Sequence, residues 1–487
     1  MERLKRIGKI KSKNSLQIKS SRLGVGFEKL DRDAFDPEKA YDKIANLGVK
    51  WVRIQSGWAK TEQKKGIYDF LWLDKVVDNL IKRGMRPWIC LCYGNGLYSE
   101  EAKKYFGATG VAPTDGDYLL AWQRYVTATV NHFKDRVHEW EVWNEPDGNW
   151  CWKSGPDGYE YGTFVVNTAK AIRQADKHAY IIGGSVCLKT ISFLNSAFVA
   201  GMGDFIDGIT FHEYTRDEMG SFETVRAYKA VADMYNDKIE IIQGESGSQS
   251  KRNGEGAIKT GSWTPRKQAK QLLRHTIADL MSDVKFTSYF SAMDMHEGFD
   301  FKPGEKIGSF GYFGLLGAEF DENGFATGEY TEKPSYYALQ NLAGVFGENV
   351  KIKNLPIMVK PQHSLLTFSD EPQHFQINAG GFKVGENEIY TFWMPSNLMT
   401  TDYEGTFSIS TAILKKAHLI DFMDGSIYEI PDSMIAEGDY PFASGDSTVW
   451  DVPRGKYAYT HSNLPIKDYP MALIFGDIKD IVFDIEK

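Results

Sequence analysis

Val137-His138-Glu139-Trp140-Glu141-Val142-Trp143-Asn144-Glu145-Pro146 alternates apolar and polar side chains, the period of a strand, and stops at an Asn-Glu pair followed by proline. Proline lacks a backbone donor and fixes φ, so it ends the strand and stiffens the loop beyond, leaving Glu145 at the strand's carboxyl end. In a parallel barrel that end is the face where catalytic groups sit. Taken alone, Glu145 is either a catalytic carboxylic acid or an exposed loop residue with no duty.

On both sides of this stretch, strand and helix patterns alternate. Leu23 to Phe27 reads as a strand and Pro37 to Leu47 as a helix. Val49 to Ile54 is a strand, Leu71 to Lys82 an amphipathic helix, and Arg86 to Cys92 a strand. Tyr118 to Phe133 is helical and Glu139 to Trp143 is the fourth strand. Tyr161 to Ala175, Ile191 to Val199, Phe222 to Tyr235 and Lys267 to Met281 are helices. They interleave with strands at Tyr180 to Gly184, Gly208 to His212, Ile239 to Gly244 and Phe286 to Ala292. Eight strand-then-helix units, closed by a helix near Tyr336 to Val345, are what a (β/α)8 TIM barrel requires within the α/β class. A doubly wound open sheet is disfavoured because no glycine-rich phosphate turn follows the first strand; Gly24 and Gly26 lie inside it.

From about Glu348 the helical periods vanish. Short alternating runs such as Glu388 to Trp393, Ala417 to Asp421 and Met471 to Phe475 are divided by turns rich in Gly, Asp, Asn and Pro, the pattern of an antiparallel β-sandwich. The expected organisation is a polar leader over 1–20, with the sandwich available for it to pack on, a barrel over 21–347 and a sandwich over 348–487. With no low-complexity linker between them, the two domains should pack directly.

The 487 residues, 42% hydrophobic and 25% charged, are those of a globular protein with ample cores. A net charge of -8 argues against nucleic-acid and anionic-membrane partners. No run approaches membrane-spanning length, and lysines interrupt the start too often for a signal peptide, so the chain as given reads as cytoplasmic. Four cysteines, without paired Cys/His spacing, suggest reduced buried thiols and no zinc site. Aromatics reach 14%, a supply that suits stacking on sugar rings as well as core filling. A homo-oligomer is compatible with this composition.

Glu145 gains a partner where Ile239-Glu240-Ile241-Ile242-Gln243-Gly244 runs into Glu245-Ser246-Gly247, three βα units later. The fourth and seventh strands face one another across a barrel, so both carboxyls can point into one cleft, the machinery of glycoside hydrolysis. Trp143-Asn144-Glu145-Pro146, the second glutamate, Arg53 ending the second strand and His212-Glu213-Tyr214 ending the sixth together resemble the clan A glycoside hydrolases, and within them the family 39 type, a β-xylosidase-like barrel plus sandwich.

The resemblance implies a retaining double displacement without metal or cofactor. Glu145 would be the acid/base and Glu245 the nucleophile, held ionised by Arg53 and Tyr214. Asn144 would bond the sugar 2-hydroxyl and His212 would line the same wall. Glu139 and Glu141 lie deeper in the barrel, one of them as a paired supporting acid, and Glu213 is structural. Trp58, Tyr93, Asn95, Trp150, Trp152 and Trp263 fall in the loops after the second, third, fourth and seventh strands, where two or three would touch sugar. Where the clan places a tryptophan after the eighth strand, this chain has Tyr289-Phe290-Ser291-Ala292-Met293-Asp294-Met295-His296; Phe290 would be the platform, with Asp294 and His296 on hydroxyls. The expected substrate is an oligosaccharide or other glycoside trimmed from its end by a β-xylosidase, β-glucosidase or β-galactosidase activity. The segment Lys302 to Thr331 would wall one side of the cleft. An endo-acting glycanase, a transglycosylase and a non-catalytic carbohydrate-binding protein are the alternatives.

Overall fold

The computed structural model describes residues 4–105, 109–297, 306–360, 377–438 and 456–479. Eight parallel strands close into a barrel: β1 Leu23–Gly26, β2 Trp51–Gln55, β3 Arg86–Leu91, β4 Glu139–Val142, β5 Tyr180–Val186, β6 Gly208–His212, β7 Glu240–Ser246 and β8 Thr287–Tyr289. Pairing of β1 with β8, Val25 opposite Tyr289, closes the ring and excludes the open sheet. A principal helix follows each strand: α1 Tyr41–Asn46, α2 Leu71–Lys82, α3 Gly116–Phe133, α4 Gly158–Ala175, α5 Ile191–Val199, α6 Gly220–Asp233, α7 Pro265–Met281 and α8 Pro334–Phe346.

Local chemistry sets several boundaries. Asp157 accepts from the amides of Tyr159 and Glu160 to start α4, and Thr264 caps α7 with Pro265 in its first turn. The predicted helix Pro37 to Leu47 splits into a 3-10 turn, Pro37–Lys39, and the short α1. Strand β8 is only three residues long, and β4 ends at Val142, one residue short of the expected end.

The barrel interior is layered. Near the amino ends of the strands, Trp51, Trp88, Ile182, Ile242 and Phe286 form a dry cluster, with the Trp51 and Phe286 rings stacked 4.2 Å apart. Each such ring buries roughly 150–250 Å², about 4–6 kcal/mol of transfer free energy. Above this floor come Arg53 and Glu141, and above them the carboxyl ends of β4 and β7. A rigid floor under a polar layer fixes where the polar groups point.

Among the described residues the C-terminal region forms two antiparallel sheets, of seven and four strands. The larger contains Ala417–Asp421, Met471–Phe475 and Asn387–Trp393 as consecutive neighbours. Among the described residues one of its edge strands is Lys5–Lys9 from the far end of the chain, paired with Ser426–Glu429. Barrel and sandwich meet along a polar seam. Arg274 of α7 donates to the carbonyls of Asp468 (2.6 Å), Ser396 (2.9 Å) and Met394 (3.0 Å). Lys270 pairs with Asp468 at 2.7 Å, and Trp393 donates to Glu218 at 2.7 Å. Among the described residues no helix is long and apolar enough to cross a membrane.

Candidate active site

Strict alternation would put Trp143 and Glu145 on one face, but the chain leaves the β conformation at Trp143 (φ +68°) and again at Glu145 (φ +46°). A non-glycine residue at positive φ costs on the order of 1–3 kcal/mol and persists only where its surroundings enforce it. Here the indole of Trp143 is driven into the core, edge-on to Trp122, Trp152 and Phe164, with its N–H on the Cys151 carbonyl at 2.8 Å. The Glu145 amide donates to the Ser185 carbonyl of β5 at 3.0 Å. These two anchors turn Asn144 and Glu145 toward the barrel mouth. Asp147 then ties the loop down by accepting from the amides of Cys187 and Leu188.

Glu245 enters from β7. Arg53 donates to its Oε1 and the Tyr214 hydroxyl to its Oε2 at 2.7 Å. Arg53 is fully buried and each of its three nitrogens donates once: Nε to Glu141 at 2.6 Å, Nη1 to Glu245 and Nη2 to Asn144 at 2.9 Å. Glu141 also accepts from Thr210 (2.6 Å) and Trp88 (3.0 Å). Burial acts to raise the Glu141 carboxyl, but the charge and hydrogen bond of Arg53 outweigh it and hold the group below its usual range.

Glu145 is clamped by its neighbours. His212 Nδ1 lies 2.9 Å from Oε1, and the Trp150 indole N–H donates to Oε2. The other ring nitrogen of His212 meets Ser185 Oγ at 3.3 Å, and Nδ1 is 3.6 Å from Glu245 Oε2. Burial alone would lower the His212 pKa; the charge of Glu245 and the hydrogen bond to Glu145 raise it above its ordinary value. The imidazole therefore bridges the two carboxyls, and one donor atom from each of Glu145, His212 and Glu245 lies within 4.8 Å of the others. Such a trio is also of a type that chelates cations. Here three of the four carboxylate oxygens accept from protein N–H or O–H groups, the fourth is hydrogen-bonded to His212 Nδ1, and Arg53 supplies the local positive charge, so the set fits a cation poorly.

The two glutamates face a cavity of about 500 Å³, within the size range of small-molecule sites. Of the residues singled out from the sequence, Asn144, Tyr214, Tyr93, Trp150 and Phe290 line it with them, while Arg53 and His212 support it from beneath. Others lie elsewhere. Trp58 is fully buried between the rings of Tyr98, Tyr118 and Tyr125, its N–H on Glu62 at 2.6 Å. Trp152 points its N–H at Glu160, and Asn95 bonds the Glu62 carbonyl. Trp263 is buried within its own loop against the Ile258 carbonyl. Asp294 is withdrawn from the cavity wall by Lys333 at 2.6 Å and the Gly314 amide at 2.9 Å. The His296 ring is buried as well, and burial pushes its pKa down to about 3; its carbonyl, not its ring, holds Lys29 at 2.6 Å. These loop side chains serve packing and anchoring instead of presenting faces or donors to the cavity.

Most of the remaining wall was not singled out residue by residue in the sequence reading. Glu28, Lys29, Arg32 and Gln55 form one side, Glu297 and Phe313 another. Glu28 and Lys29 carry the same signal as Asn144-Glu145, a polar pair that includes a glutamate just past a barrel strand. Glu297 precedes the segment expected to wall the cleft, Lys302 to Thr331, and Phe313 lies within it; part of that segment, 302–305, lies outside the described residues.

With this geometry in hand, comparison with known proteins is decisive at the level of family. The sequence profile described as Glycosyl hydrolases family 39 matches residues 31–351, most of the chain. The chain belongs to that family. Among curated proteins, a β-xylosidase of Geobacillus stearothermophilus is 28% identical over 163 residues, 31% of this chain and 32% of that protein. A β-xylosidase of Caldicellulosiruptor saccharolyticus is 22% identical over 338 residues, 63% of this chain and 64% of its own length. The matches thus span about a third and just under two thirds of these relatives. Among solved structures, a family 39 glycoside hydrolase from the gut symbiont Bacteroides cellulosilyticus WH2 superposes with TM-score 0.63 at 17% identity, covering 93% of this chain and 81% of that one. A monomeric β-xylosidase from Caulobacter crescentus CB15 gives 0.57 at 16% identity, covering 96% and 97%. At these identities the superpositions speak for the family 39 fold, barrel and sandwich together.

Proposed function

We propose that this member of family 39 is a retaining β-glycosidase that removes sugars from the end of an oligosaccharide or glycoside, with a β-xyloside as the first substrate to test. The observation that carries the reading is that one carboxyl oxygen of Glu145 lies within 4.8 Å of one of Glu245, across one cavity. Retaining enzymes hold their two carboxyls about 5–5.5 Å apart, whereas inverting ones leave roughly 6.5–9.5 Å for a water.

In the first step Glu245, oriented by Arg53 and Tyr214, attacks the anomeric carbon while Glu145 delivers its proton to the departing glycosidic oxygen. In the second, Glu145 takes a proton from water, whose oxygen displaces Glu245 and regenerates the free carboxylate. His212 and Trp150 hold Glu145 in place for both transfers. Asn144, itself fixed by Arg53, is set to bond the 2-hydroxyl as positive charge develops on the ring. The aromatic walls Tyr93, Trp150 and Phe290 support sugar stacking, and the β-xylosidase names of the relatives support the choice of sugar. A walled cavity of this size favours action at a chain end.

The test is a panel of aryl β-xylosides, β-glucosides and β-galactosides with wild type, Glu145→Ala and Glu245→Ala. Glu145→Ala should lose about 10²–10⁴-fold on poor leaving groups and far less on activated phenols, which need little protonation. Glu245→Ala should lose activity on every leaving group. The first-formed sugar, followed by NMR, should keep the β configuration. Wild-type inactivity across the panel, or an inverted first product, overturns the reading.

A further inference from the structure

A third carboxyl in this cavity has no place in the double displacement. Glu28 stands two residues beyond β1 and is 1% exposed, yet it belongs to the cavity wall. Neither of its oxygens has a hydrogen-bond partner on any other described residue; only the amide of Glu28 itself is close enough to act on the carboxyl. Its nearest cation, Arg53 Nη1, is 3.6 Å away, and every nitrogen of that guanidinium is already engaged with Glu141, Glu245 or Asn144. The nearby cations of the same wall are committed too: Lys29 to Glu297 and the His296 carbonyl, Arg32 to Asp31 and Gln55. The site is nonetheless built for this carboxyl. It folds back over Gly26, where even a single added carbon would collide with both oxygens.

Buried polar groups are almost always paired, so one left open toward a ligand cavity is explained by the ligand. We propose that the Glu28 carboxyl is a specificity-determining group that hydrogen-bonds a ring hydroxyl of the sugar lying beside Glu245. This rests on the glycosidase reading above and extends it to how the sugar is chosen. Burial first, and then the charge of Glu245, move the Glu28 pKa up to about 8, against the opposing pull of Arg53, of its own backbone amide and of His212. At neutral pH it is therefore a carboxylic acid, with one O–H to donate and one carbonyl to accept. That combination matches a sugar hydroxyl, which needs both, and avoids a further negative charge beside the nucleophile. Above about pH 8 it ionises, loses its donor and repels Glu245. The groups facing it are Arg53 from β2, His212 and Tyr214 from the end of β6, and Glu245 from β7.

The experiment compares wild type, Glu28→Ala and Glu28→Gln on an aryl glycoside turned over by wild type and on each of its monodeoxy analogues, with thermal midpoints recorded alongside. Glu28→Ala should lower kcat/KM about 10- to 100-fold on the full sugar and much less on the one analogue that lacks the partner hydroxyl. Glu28→Gln, which keeps a donor and an acceptor, should stay within about tenfold of wild type. It should also lack the alkaline fall in kcat/KM expected of wild type near pH 8. Equal losses on every analogue, no loss at all, or an alkaline limb that survives in Glu28→Gln overturn the assignment. If Glu28→Ala does not fold, the deoxy series and pH profile of Glu28→Gln decide alone. If wild type hydrolyses no glycoside, the catalytic reading fails separately. Calorimetric binding of xylose, glucose and galactose to wild type and Glu28→Gln then decides for Glu28, with pH-independent binding in wild type counting against it.

Discussion

Replacing Arg53 with methionine tests the electrostatic logic of the site most directly. The guanidinium is fully buried, contacts Glu141 and Glu245 in the same plane, and stands 3.6 Å from Glu28. Methionine fills most of the volume and removes the charge, leaving three carboxyls around an apolar side chain. Breaking a buried ion pair from one side costs about 3–5 kcal/mol, because the remaining charge is stranded. At 2–4 °C per kcal/mol for a large domain, the thermal midpoint at pH 7 should fall on the order of 10 °C. The sign of the pH dependence follows from Glu141. In wild type its pKa is depressed, so it contributes stability above the ordinary carboxylate range that is lost as pH falls through its folded value. Without Arg53, burial, the largest effect and one that raises it, is opposed by the charge of His212 and the Thr210 hydrogen bond; the folded variant then takes up a proton more readily than the unfolded chain and gains ground as pH falls. The deficit of Arg53→Met relative to wild type should therefore be largest at pH 7 and shrink toward pH 4. Scanning calorimetry of both proteins across that range, with kcat/KM at each pH, makes the comparison. A deficit under 1 kcal/mol, or one that does not change with pH, would refute the reasoning; about 1 kcal/mol is the level of a surface pair.

Trp58→Phe should separate a packing tryptophan from a sugar platform: with its N–H on buried Glu62 lost, stability should drop by about 1–3 kcal/mol while kcat and KM stay within about twofold. A large KM increase at unchanged thermal midpoint would return Trp58 to the substrate. At the seam between barrel and sandwich, Lys270→Met strands Asp468 and should cost about 3–5 kcal/mol, of which Asp468→Asn in the same chain should recover part. Additive losses in that double-mutant cycle, measured by denaturant unfolding, would mean the buried pair carries no coupling.

The barrel was legible because its signal is periodic and repeated: eight alternations of two hydrophobic periods leave few architectures, and irregular ends of single elements do not disturb the sum. The inner residues of the site were legible for a related reason. Arg53, His212 and Glu245 lie within strands whose pleat fixes where a side chain goes, and Asn144, Glu145 and Tyr214 come one to three residues after a strand ends. Loop aromatics carry no such constraint. Trp58 and Trp150 look alike in sequence, both lying a few residues past a barrel strand, yet one is stacked among three tyrosines and the other is turned to Glu145. What decides between them is whether a buried acceptor such as Glu62 or an active-site carboxylate receives the indole N–H, a tertiary fact that local pattern does not contain.

Alternation itself misled at the most important position. A strict period of two joins Glu139, Glu141, Trp143 and Glu145 on one face, but the positive φ at Trp143 breaks the series and sends the indole into the core. The strained turn lets one short segment do three things: Glu141 braces Arg53 from below, Trp143 packs, and Glu145 reaches the cavity. Glu28 was missed for the opposite reason. Its position just past β1 was readable, but its significance lies in the hydrogen bonds it lacks. An unmet bonding need appears only once every neighbouring donor has been placed. Local pattern therefore reaches the residues that strands aim at the site, and only the completed hydrogen-bond network distinguishes the wall that meets the sugar from the residues that hold that wall in place.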